Sequence, residues 1–424
     1  MTEEGKLKTY QRPNVLPLSL AAFFNDAGSD MLFAFYPLFL VLILKVNMGQ
    51  LGGLDSIALL TGLFIRPLTG FIADRKGRRH FIWTGYLCLM LSRVLQGFAR
   101  IWWHLAPPKV LYEVGRGVRN PPREALMADS VPREERGLAF GLLDSMDTLG
   151  AMLGPLLGLG IFYLLGHYTG LTTESTFRLI FFAAAIPTIM SVFIIITRTR
   201  EVKKFGGSEE SPTSERPRGS KLAALRAHKT LLIFTIISCL FAFWAVTENF
   251  MLVCGLRILD ISRQDIGTIW RVVILYWFIN VTFAPTALYA GRLSDRIGRK
   301  LPIFLSLIIL AALTLGFAFV GRVYWQIGLL FALHGIYQGF LKPAQKAFVA
   351  DLAPEELRAT ALGGYSMLTG AAAVPGPLIF GLLWYYSGGW RLPFLLSGSF
   401  VALSAILFLL FVREPKRKSS EDVT

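Results

Sequence analysis

The sequence has few of the residues on which metalloproteins, disulfide-linked proteins and enzymes depend. Among 424 residues there are three cysteines and five histidines. Cys88, Cys239 and Cys254 stand alone in apolar stretches, so we expect neither a disulfide framework nor a metal site. The chain also has no Gly-x-x-x-x-Gly-Lys-Ser/Thr loop, which removes support for an ATP-driven pump. No nucleophile or cofactor motif stands out, and we expect no enzyme.

Charge is also scarce, and long apolar segments take its place. Charged residues make up 17% of the chain, hydrophobic residues make up 54%, and the mean hydropathy is +0.52. The segments that reach the roughly 20 residues needed to cross a bilayer are 15–44, 51–73, 81–99, 105–128, 137–165, 177–197, 230–256, 267–293, 301–321, 324–350, 359–386 and 391–412. The sequence therefore predicts an all-α membrane protein with twelve transmembrane helices.

The formal net charge of +15 follows the topology of these spans. An even number of spans places both termini on one side of the membrane. Lys and Arg are concentrated in the loops on that side, which is the bias of cytoplasmic loops. We therefore expect cytoplasmic termini in a plasma (inner) membrane and no binding of nucleic acid. The polar segment 1–14 lacks the pattern of a signal peptide.

A ten-residue segment occurs twice, from residue 70 and, 221 residues later, from residue 291. Each copy follows a long apolar span and combines an aspartate, two glycines and a basic cluster. The residues that the copies share in position are Gly70, Asp74, Arg75, Gly77, Arg78 and Arg79, and then Gly291, Asp295, Arg296, Gly298, Arg299 and Lys300. Two copies at equivalent places indicate a duplicated membrane bundle.

The duplication divides the chain into two similar halves. A second match pairs Ala128-Asp129 with Ala350-Asp351, and a third pairs Arg200-Glu201 with Arg413-Glu414. The divisions that we predict are a cytoplasmic N-terminus 1–14, a six-helix lobe 15–197, a cytoplasmic linker 198–229, a second six-helix lobe 230–412 and a cytoplasmic tail 413–424.

The duplicated segments resemble the signature of the major facilitator superfamily, and the resemblance extends over the whole chain. It implies a secondary transporter that works by alternating access. It also implies that these segments are gating loops. Their Asp accepts hydrogen bonds from a helix N-terminus and their basic residues pair with carboxylates, so that the loops stabilise one access state.

The fifth span carries a second resemblance, to a motif of exporters in this superfamily. Its residues are Gly141, Gly150, Gly154, Pro155 and Gly158, although Leu159 interrupts the usual final pair of glycines. The small residues permit close helix approach, and we expect the fifth helix to use them against a helix of the other lobe. Generic packing of small residues is the alternative interpretation.

The fourth span departs from the family. Many members have Arg-x-x-Gln-Gly there, with the arginine linked to proton transfer, but this chain has Glu113 and Arg116 at the aligned positions. The string from Arg93 to Gly97 matches the pattern, but it lies at the end of the third span. We treat that match as a coincidence.

Ionisable residues at membrane depth are costly and mark functional or paired groups. Asp26 and Asp30 are four residues apart near the middle of the first span, so that they share one helix face. The candidates for proton coupling or for a substrate cavity are Asp26, Asp30, Glu113, Arg116, Arg119, Asp144, Asp147 and Glu248. For each residue, a structural ion pair is the alternative to a direct role.

Together these features favour proton-coupled efflux of a small organic molecule. The alternatives are a proton-coupled importer of the same architecture and a non-transporting receptor with a transporter fold. We expect no cofactor other than a proton gradient, and no partners other than the substrate and the lipid bilayer. We expect a monomer. Acidic residues in the first span favour a cationic substrate, whereas arginines in the fourth favour an anionic one.

Overall fold

The computed structural model describes residues 8–132, 135–202, 229–259, 266–353 and 357–414, and the regular structure in these ranges is helical. The first repeat contains α1 (Val15–Leu38), α2 (Met48–Lys76), α3 (Arg78–Gly97), α4 (Ala106–Asp129), α5 (Arg136–Tyr168) and α6 (Thr173–Arg198). The second contains α7 (Lys229–Trp244), α8 (Glu248–Ile258), α9 (Ile266–Ile297), α10 (Lys300–Phe319), α11 (Tyr324–Leu352), α12 (Arg358–Ala373), α13 (Pro375–Ser387) and α14 (Arg391–Phe411).

Local signals account for several helix ends. α2 begins with a reciprocal capping box, in which the Asn47 side chain accepts from the Gln50 backbone amide at 2.9 Å and the Gln50 side chain accepts from the Asn47 amide at 3.0 Å. α6 begins where the Thr172 hydroxyl accepts from the Ser175 amide at 3.2 Å. α2 ends before Gly77, whose φ of 89° is a conformation that glycine adopts without the steric strain that other residues have there.

In the ranges that the structure describes, nine helical stretches are long and apolar enough to cross a membrane. They include a first stretch in which α1 continues through a π-helical turn, Phe39–Ile43. The predicted third, fourth and tenth spans are helical as well, as α3, α4 and α11, but these helices are not among the nine stretches. The fold is that of twelve spans, three of which carry an unusual polar load.

Two of the spans in the second repeat are interrupted. The seventh span is divided into α7 and α8 by residues 245–247, and the eleventh is divided into α12 and α13 at Val374. In the eleventh span, Pro375 lacks an amide hydrogen and its ring crowds the preceding turn, which explains the break there. The apolar pattern of the sequence, which predicts a span by length, shows neither interruption.

The chain forms two compact units by contacts. The first comprises Met1–Ser211 and Glu248–Asn280, and the second comprises Pro212–Thr247 and Val281–Thr424. In the first unit α1 packs on α5 and α6, α3 packs on α4 and α6, and α2 packs on α4. In the second unit α10 packs on α11 and α14, and α7 packs on α12 and α14. Contacts thus group α8 and the first half of α9 with the first unit, whereas the sequence repeat begins its second lobe at residue 230.

Candidate functional site

Asp30 lies in the middle of α1, is 9% exposed and is held by neutral donors. The Tyr276 hydroxyl donates to its Oδ1 at 2.6 Å, and the Asn280 side-chain amide approaches the same oxygen at 3.4 Å. Both donors belong to α9. No cationic side chain lies within ion-pair distance of Asp30 in the described part of the chain. This buried carboxylate is therefore tied to its neighbours by hydrogen bonds without a fixed counter-charge.

Other carboxylates of the first unit have cationic partners. Arg123 of α4 faces both oxygens of Asp147 of α5, at 3.3 and 3.4 Å. Glu113 lies between two arginines, 3.4 Å from Arg66 and 3.1 Å from Arg116. These carboxylates take part in ion pairs that hold α4 to α5 and α2.

Asp26 lies one turn before Asp30 and differs from both groups. Its Oδ1 accepts a hydrogen bond from the side-chain amide of Asn25 at 2.7 Å. The charges of Arg119, Arg123 and Asp147 act on it without an ion-pair contact. Arg119 itself lies 4.8 Å from the centre of the Tyr86 ring and donates to Asn120 at 2.8 Å. Asp26 of the first helix thus lies near the arginines of the fourth.

A further buried ion pair was missed by the sequence analysis. Lys109 of α4 pairs with Asp55 of α2, which is 5% exposed. The Asn249 side chain donates to both oxygens of Asp55, at 2.9 and 3.1 Å, and so ties α8 to α2. The signal was available, because Asp55 and Lys109 are charged residues inside predicted spans. Neither residue belongs to a repeated or family motif, so charge inside a span is the single sequence signal for this pair.

The glycines of the fifth helix pack against α1. A Cβ atom added at Gly150 would meet the Phe23 carbonyl, one at Gly154 would meet the Ala27 carbonyl, and one at Gly158 would lie 2.7 Å from the Phe35 ring. Our expectation that they face a helix of the other lobe is wrong, since α1 belongs to the same repeat. Gly141 has open space around it and takes no part in this contact.

Pro155 leaves a backbone carbonyl of α5 without its helical hydrogen-bond donor. A proline has no amide hydrogen, so the carbonyl four residues earlier, that of Ala151, loses its helical partner. The Asn280 amide, which also approaches Asp30, donates to this carbonyl at 3.3 Å. The indole of Trp277 donates to the next carbonyl, that of Met152, at 3.1 Å. A proline of the exporter-type motif thus creates an acceptor for the same helix that binds Asp30.

The first copy of the duplicated segment is mostly helix, and its turn is a single residue, Gly77. Next to this glycine, Arg78 pairs with Asp129 at the end of α4. The backbone amide of Arg79 donates to the carboxylate of Glu201 at 2.6 Å. A carboxylate at the N-terminus of α3 is favourable because the amides there have no helical acceptor.

The second copy repeats this arrangement around Gly298, whose φ is 98°. Arg299 pairs with Asp351 at 3.3 Å, and its amide donates to Glu414 at 2.6 Å. Lys300 donates to the Leu409 carbonyl at 2.9 Å. Gly291 has open space around it. Gly70, Asp74, Arg75, Asp295 and Arg296 lie outside the residues whose side-chain surroundings the structure describes.

The two remaining candidates occupy different surroundings. Asp144 is exposed on α5, and Glu248 is the first residue of α8 and is half-buried. The charge of Glu248 acts on Asp30 together with that of Asp26. Before the start of α5, Glu135 accepts from Arg12 at 2.7 Å, and this hydrogen bond lowers the pKa of Glu135.

The fold and the ion pairs described above can be compared with those of known families. The family model described as Major Facilitator Superfamily matches residues 18–280 and 249–424. The chain belongs to the major facilitator superfamily, so it is a transmembrane transporter rather than an enzyme.

Two curated relatives cover nearly the whole chain. A protein of Methanocaldococcus jannaschii described as an uncharacterized MFS-type transporter is 31% identical over 94% of this chain and 94% of its own. The multidrug resistance protein MdtG of Klebsiella pneumoniae is 26% identical over 97% of this chain and 96% of its own.

Solved structures share the fold at low sequence identity. The nucleoside transporter NupG has a TM-score of 0.76 at 15% identity and covers 94% of this chain and 99% of its own. A D-xylose-proton symporter has a TM-score of 0.70 at 15% identity and covers 94% of this chain and 97% of its own. At this identity these structures are informative about the fold alone.

Proposed function

We propose that the protein couples the movement of protons to the efflux of a small organic molecule, and that Asp30 binds the proton. The observation that carries this proposal is the set of neutral donors around Asp30, namely Tyr276 and Asn280. A carboxylate in a fixed ion pair stays charged through a cycle, whereas one held by neutral donors can bind and release a proton. The charges that act on Asp30, from Asp26 and Glu248, have its own sign.

Protonation of Asp30 changes the bonds between α1 and α9. The carboxylate accepts from both donors, whereas a protonated carboxyl group carries a hydrogen of its own and has less capacity to accept. The two donors lie on a helix that begins in the first compact unit and continues, from Val281, in the second. A proton at Asp30 therefore acts on a helix shared by both units, as a change of access requires.

Efflux is favoured over import by two observations. The MdtG relative, whose name assigns it to multidrug resistance, matches along almost the full chain. The fifth-helix motif of exporters is also present, with three of its glycines at close contacts. Import remains the second candidate because a D-xylose-proton symporter has the same fold. We propose a monomer in the plasma membrane with cytoplasmic termini, in agreement with the basic loops.

The test is transport in proteoliposomes of known protein orientation, with ethidium as a cationic probe and fluorescein as an anionic one. A proton gradient of either sign is imposed, and probe movement is followed by fluorescence. We expect movement from the cytoplasmic face, driven by protons that enter the opposite way. Asp30→Asn should abolish proton-driven movement and retain exchange of probe without a gradient, because only the proton site is removed.

The matched control is Glu174→Gln, which removes a carboxylate paired with Arg178 at 2.8 Å, away from Asp30. It should transport like the wild type. Proton-driven movement that persists in Asp30→Asn would overturn the assignment of Asp30 and direct attention to Asp26, Asp144, Asp147 and Glu248. Movement of a probe only toward the cytoplasmic face would establish the importer. If neither the cationic nor the anionic probe moves faster than background under either gradient, the proposal of proton-coupled transport is contradicted for both classes of substrate.

A further inference from the structure

Arg93, which the sequence analysis set aside as a coincidental motif match, is the most deeply buried charged residue in the described part of the chain, with 1% exposure. It lies on α3 and reaches α1 and α6. Its terminal nitrogens donate to the Ala184 carbonyl at 3.1 Å, the Asn25 carbonyl at 3.1 Å and the Ser29 hydroxyl at 2.6 Å. The guanidinium fits because Gly28 has no side chain, since a Cβ there would lie 2.6 Å from it.

A second hydrogen bond from Arg93 to Asn25 determines the orientation of the Asn25 side-chain amide. Arg93 also donates to the side-chain oxygen of Asn25 at 3.0 Å. A guanidinium has donors only, so the oxygen of the Asn25 amide must face Arg93 and its nitrogen must face the other way. That nitrogen donates to Asp26 at 2.7 Å. The orientation of the Asn25 amide therefore follows from chemistry, and it connects a buried cation to a membrane carboxylate.

We propose that Arg93 is a positioning residue for Asp26, which acts by holding the Asn25 amide with its hydrogens directed at the Asp26 carboxylate. Asn25 and Ser29 are one turn apart on α1, and each directly precedes a carboxylate of the pair Asp26 and Asp30. By binding both, Arg93 also fixes the rotation of α1 about its axis, and hence the directions in which the two carboxylates project. This inference rests on the proposed role of these carboxylates in proton coupling.

Several other titratable or charged groups face Asp26, and none of them hydrogen-bonds to the Asn25 side chain. They come from α1, α4 and α5 and are Asp30, Tyr112, Arg116, Arg119, Arg123 and Asp147. These groups act through space. Arg93 also has a through-space effect, since its charge and that of Asp26 interact. We call the effect of Arg93 on Asp26 through the Asn25 amide the amide relay. The relay and the through-space effect make different predictions for a variant in which Asn25 is replaced.

The experiment is a pH titration of the full-length protein in lipid nanodiscs by infrared spectroscopy, with aspartate carboxyl groups labelled with ¹³C. The band that Asp26→Asn removes belongs to Asp26, and no transported substrate is needed. In Arg93→Gln we expect the titration midpoint of this band to rise by about one pH unit, because a carboxylate that loses a fixed donor is less stable as an anion. Arg93→Lys keeps a cationic donor, so its midpoint should move by at most half as much as that of Arg93→Gln.

The decisive comparison is Arg93→Gln in an Asn25→Leu background. Asn25→Leu alone should move the midpoint as much as Arg93→Gln does, and the second substitution should add less than about 0.3 pH unit. A full additional shift would show that Arg93 acts on Asp26 through space and would overturn the relay, as would an unchanged midpoint in Asn25→Leu. If Arg93→Gln does not fold, Asn25→Leu alone still tests the relay, because an unchanged midpoint there overturns it.

Ser191→Ala is the matched control for packing. The Ser191 hydroxyl donates to the Ala21 carbonyl at 2.7 Å, so it joins α6 to α1 as Arg93 does but without contact to Asn25. Its midpoint should equal that of the wild type, and an equal shift would assign the effect to helix packing. A wild type without proton-driven flux would refute the proposed function while leaving this titration result intact, so the two failures can be told apart.

Discussion

The two repeats of this chain keep the same turns and close helix contacts but fill their interiors with different chemistry. Gly77 and Gly298 both adopt a positive φ, and each is followed by an arginine that pairs with an aspartate at a repeat-related position, Asp129 or Asp351. A carboxylate, Glu201 or Glu414, binds a backbone amide at the start of the following helix in both repeats.

The ionic pair inside the first repeat has neutral counterparts in the second. At the 222-residue offset that relates Asp129 to Asp351, Arg123 corresponds to Gln345 and Asp147 corresponds to Thr369. Gln345 binds the hydroxyl of Tyr365, whose ring stacks on Phe234 with 5.4 Å between the centroids. The duplicated features thus set helix ends and spacing in both repeats, whereas the ion pair of Arg123 with Asp147 occurs in the first repeat.

The largest effect should come from breaking a contact that the repeats share. Gly154 faces the Ala27 carbonyl, and Gly376 faces the Phe243 carbonyl at the equivalent place. Gly154→Leu and Gly376→Leu should both prevent accumulation of a monodisperse protein, because backbone atoms cannot yield to the side chain. Size-exclusion chromatography after membrane extraction measures this outcome.

Gly141→Leu and Gly363→Leu are the controls, since both glycines have open space around them and are themselves related by the repeat. They should remain monodisperse. A well-folded Gly154→Leu protein together with an unfolded Gly376→Leu protein would show that the two contacts are not equivalent.

A smaller effect should distinguish the interiors. Arg123→Leu leaves Asp147 without its ion pair and should reduce the free energy of unfolding by about 3 kcal/mol, at the lower end for a buried pair because Asp147 keeps part of its side chain exposed. Gln345→Leu removes a neutral hydrogen bond and should cost about 1 kcal/mol. Unfolding in mixed detergent micelles measures both values.

Arg123→Leu with Asp147→Leu should recover most of the loss, because no unpaired charge remains. If the double variant is as unstable as Arg123→Leu, the arginine stabilises the helix bundle by packing rather than by pairing.

The smallest effect should distinguish the two repeat-related turns, at Gly77 and at Gly298. The side chains of Arg78 and Asp129 are 18% and 15% exposed, whereas those of Arg299 and Asp351 are 22% and 44% exposed. Water weakens the second pair more, so Arg78→Gln should reduce transport more than Arg299→Gln, with both proteins folded. Initial rates in proteoliposomes, at equal amounts of protein, give the comparison, and equal rates would remove the proposed asymmetry of the turns.

The sequence was sufficient where one residue or one pattern determines the structure. Span lengths and the repeat predicted the helices and placed the two equivalent connections, which the structure shows at Gly77 and at Gly298 with Arg299. It was not sufficient where a contact depends on how helices face one another. A hydropathy pattern does not determine how two packed helices are rotated about their axes. Three contacts depend on this rotation: that of Gly154 with α1, the ion pair of Asp55 with Lys109, and the hydrogen bonds of Arg93.

The polar load of α3, α4 and α11 has a consequence for biogenesis. A helix that carries Arg93, or several arginines as α4 does, enters a bilayer at a cost of about 2.5–3.5 kcal/mol for each arginine near its centre. The acceptors that satisfy Arg93 belong to α1, which is synthesised before α3, and to α6, which is synthesised after it. Ribosome-bound intermediates that end before α6 thus lack one of these acceptors, and α3 must be retained beside α1 or the insertion machinery until α6 arrives.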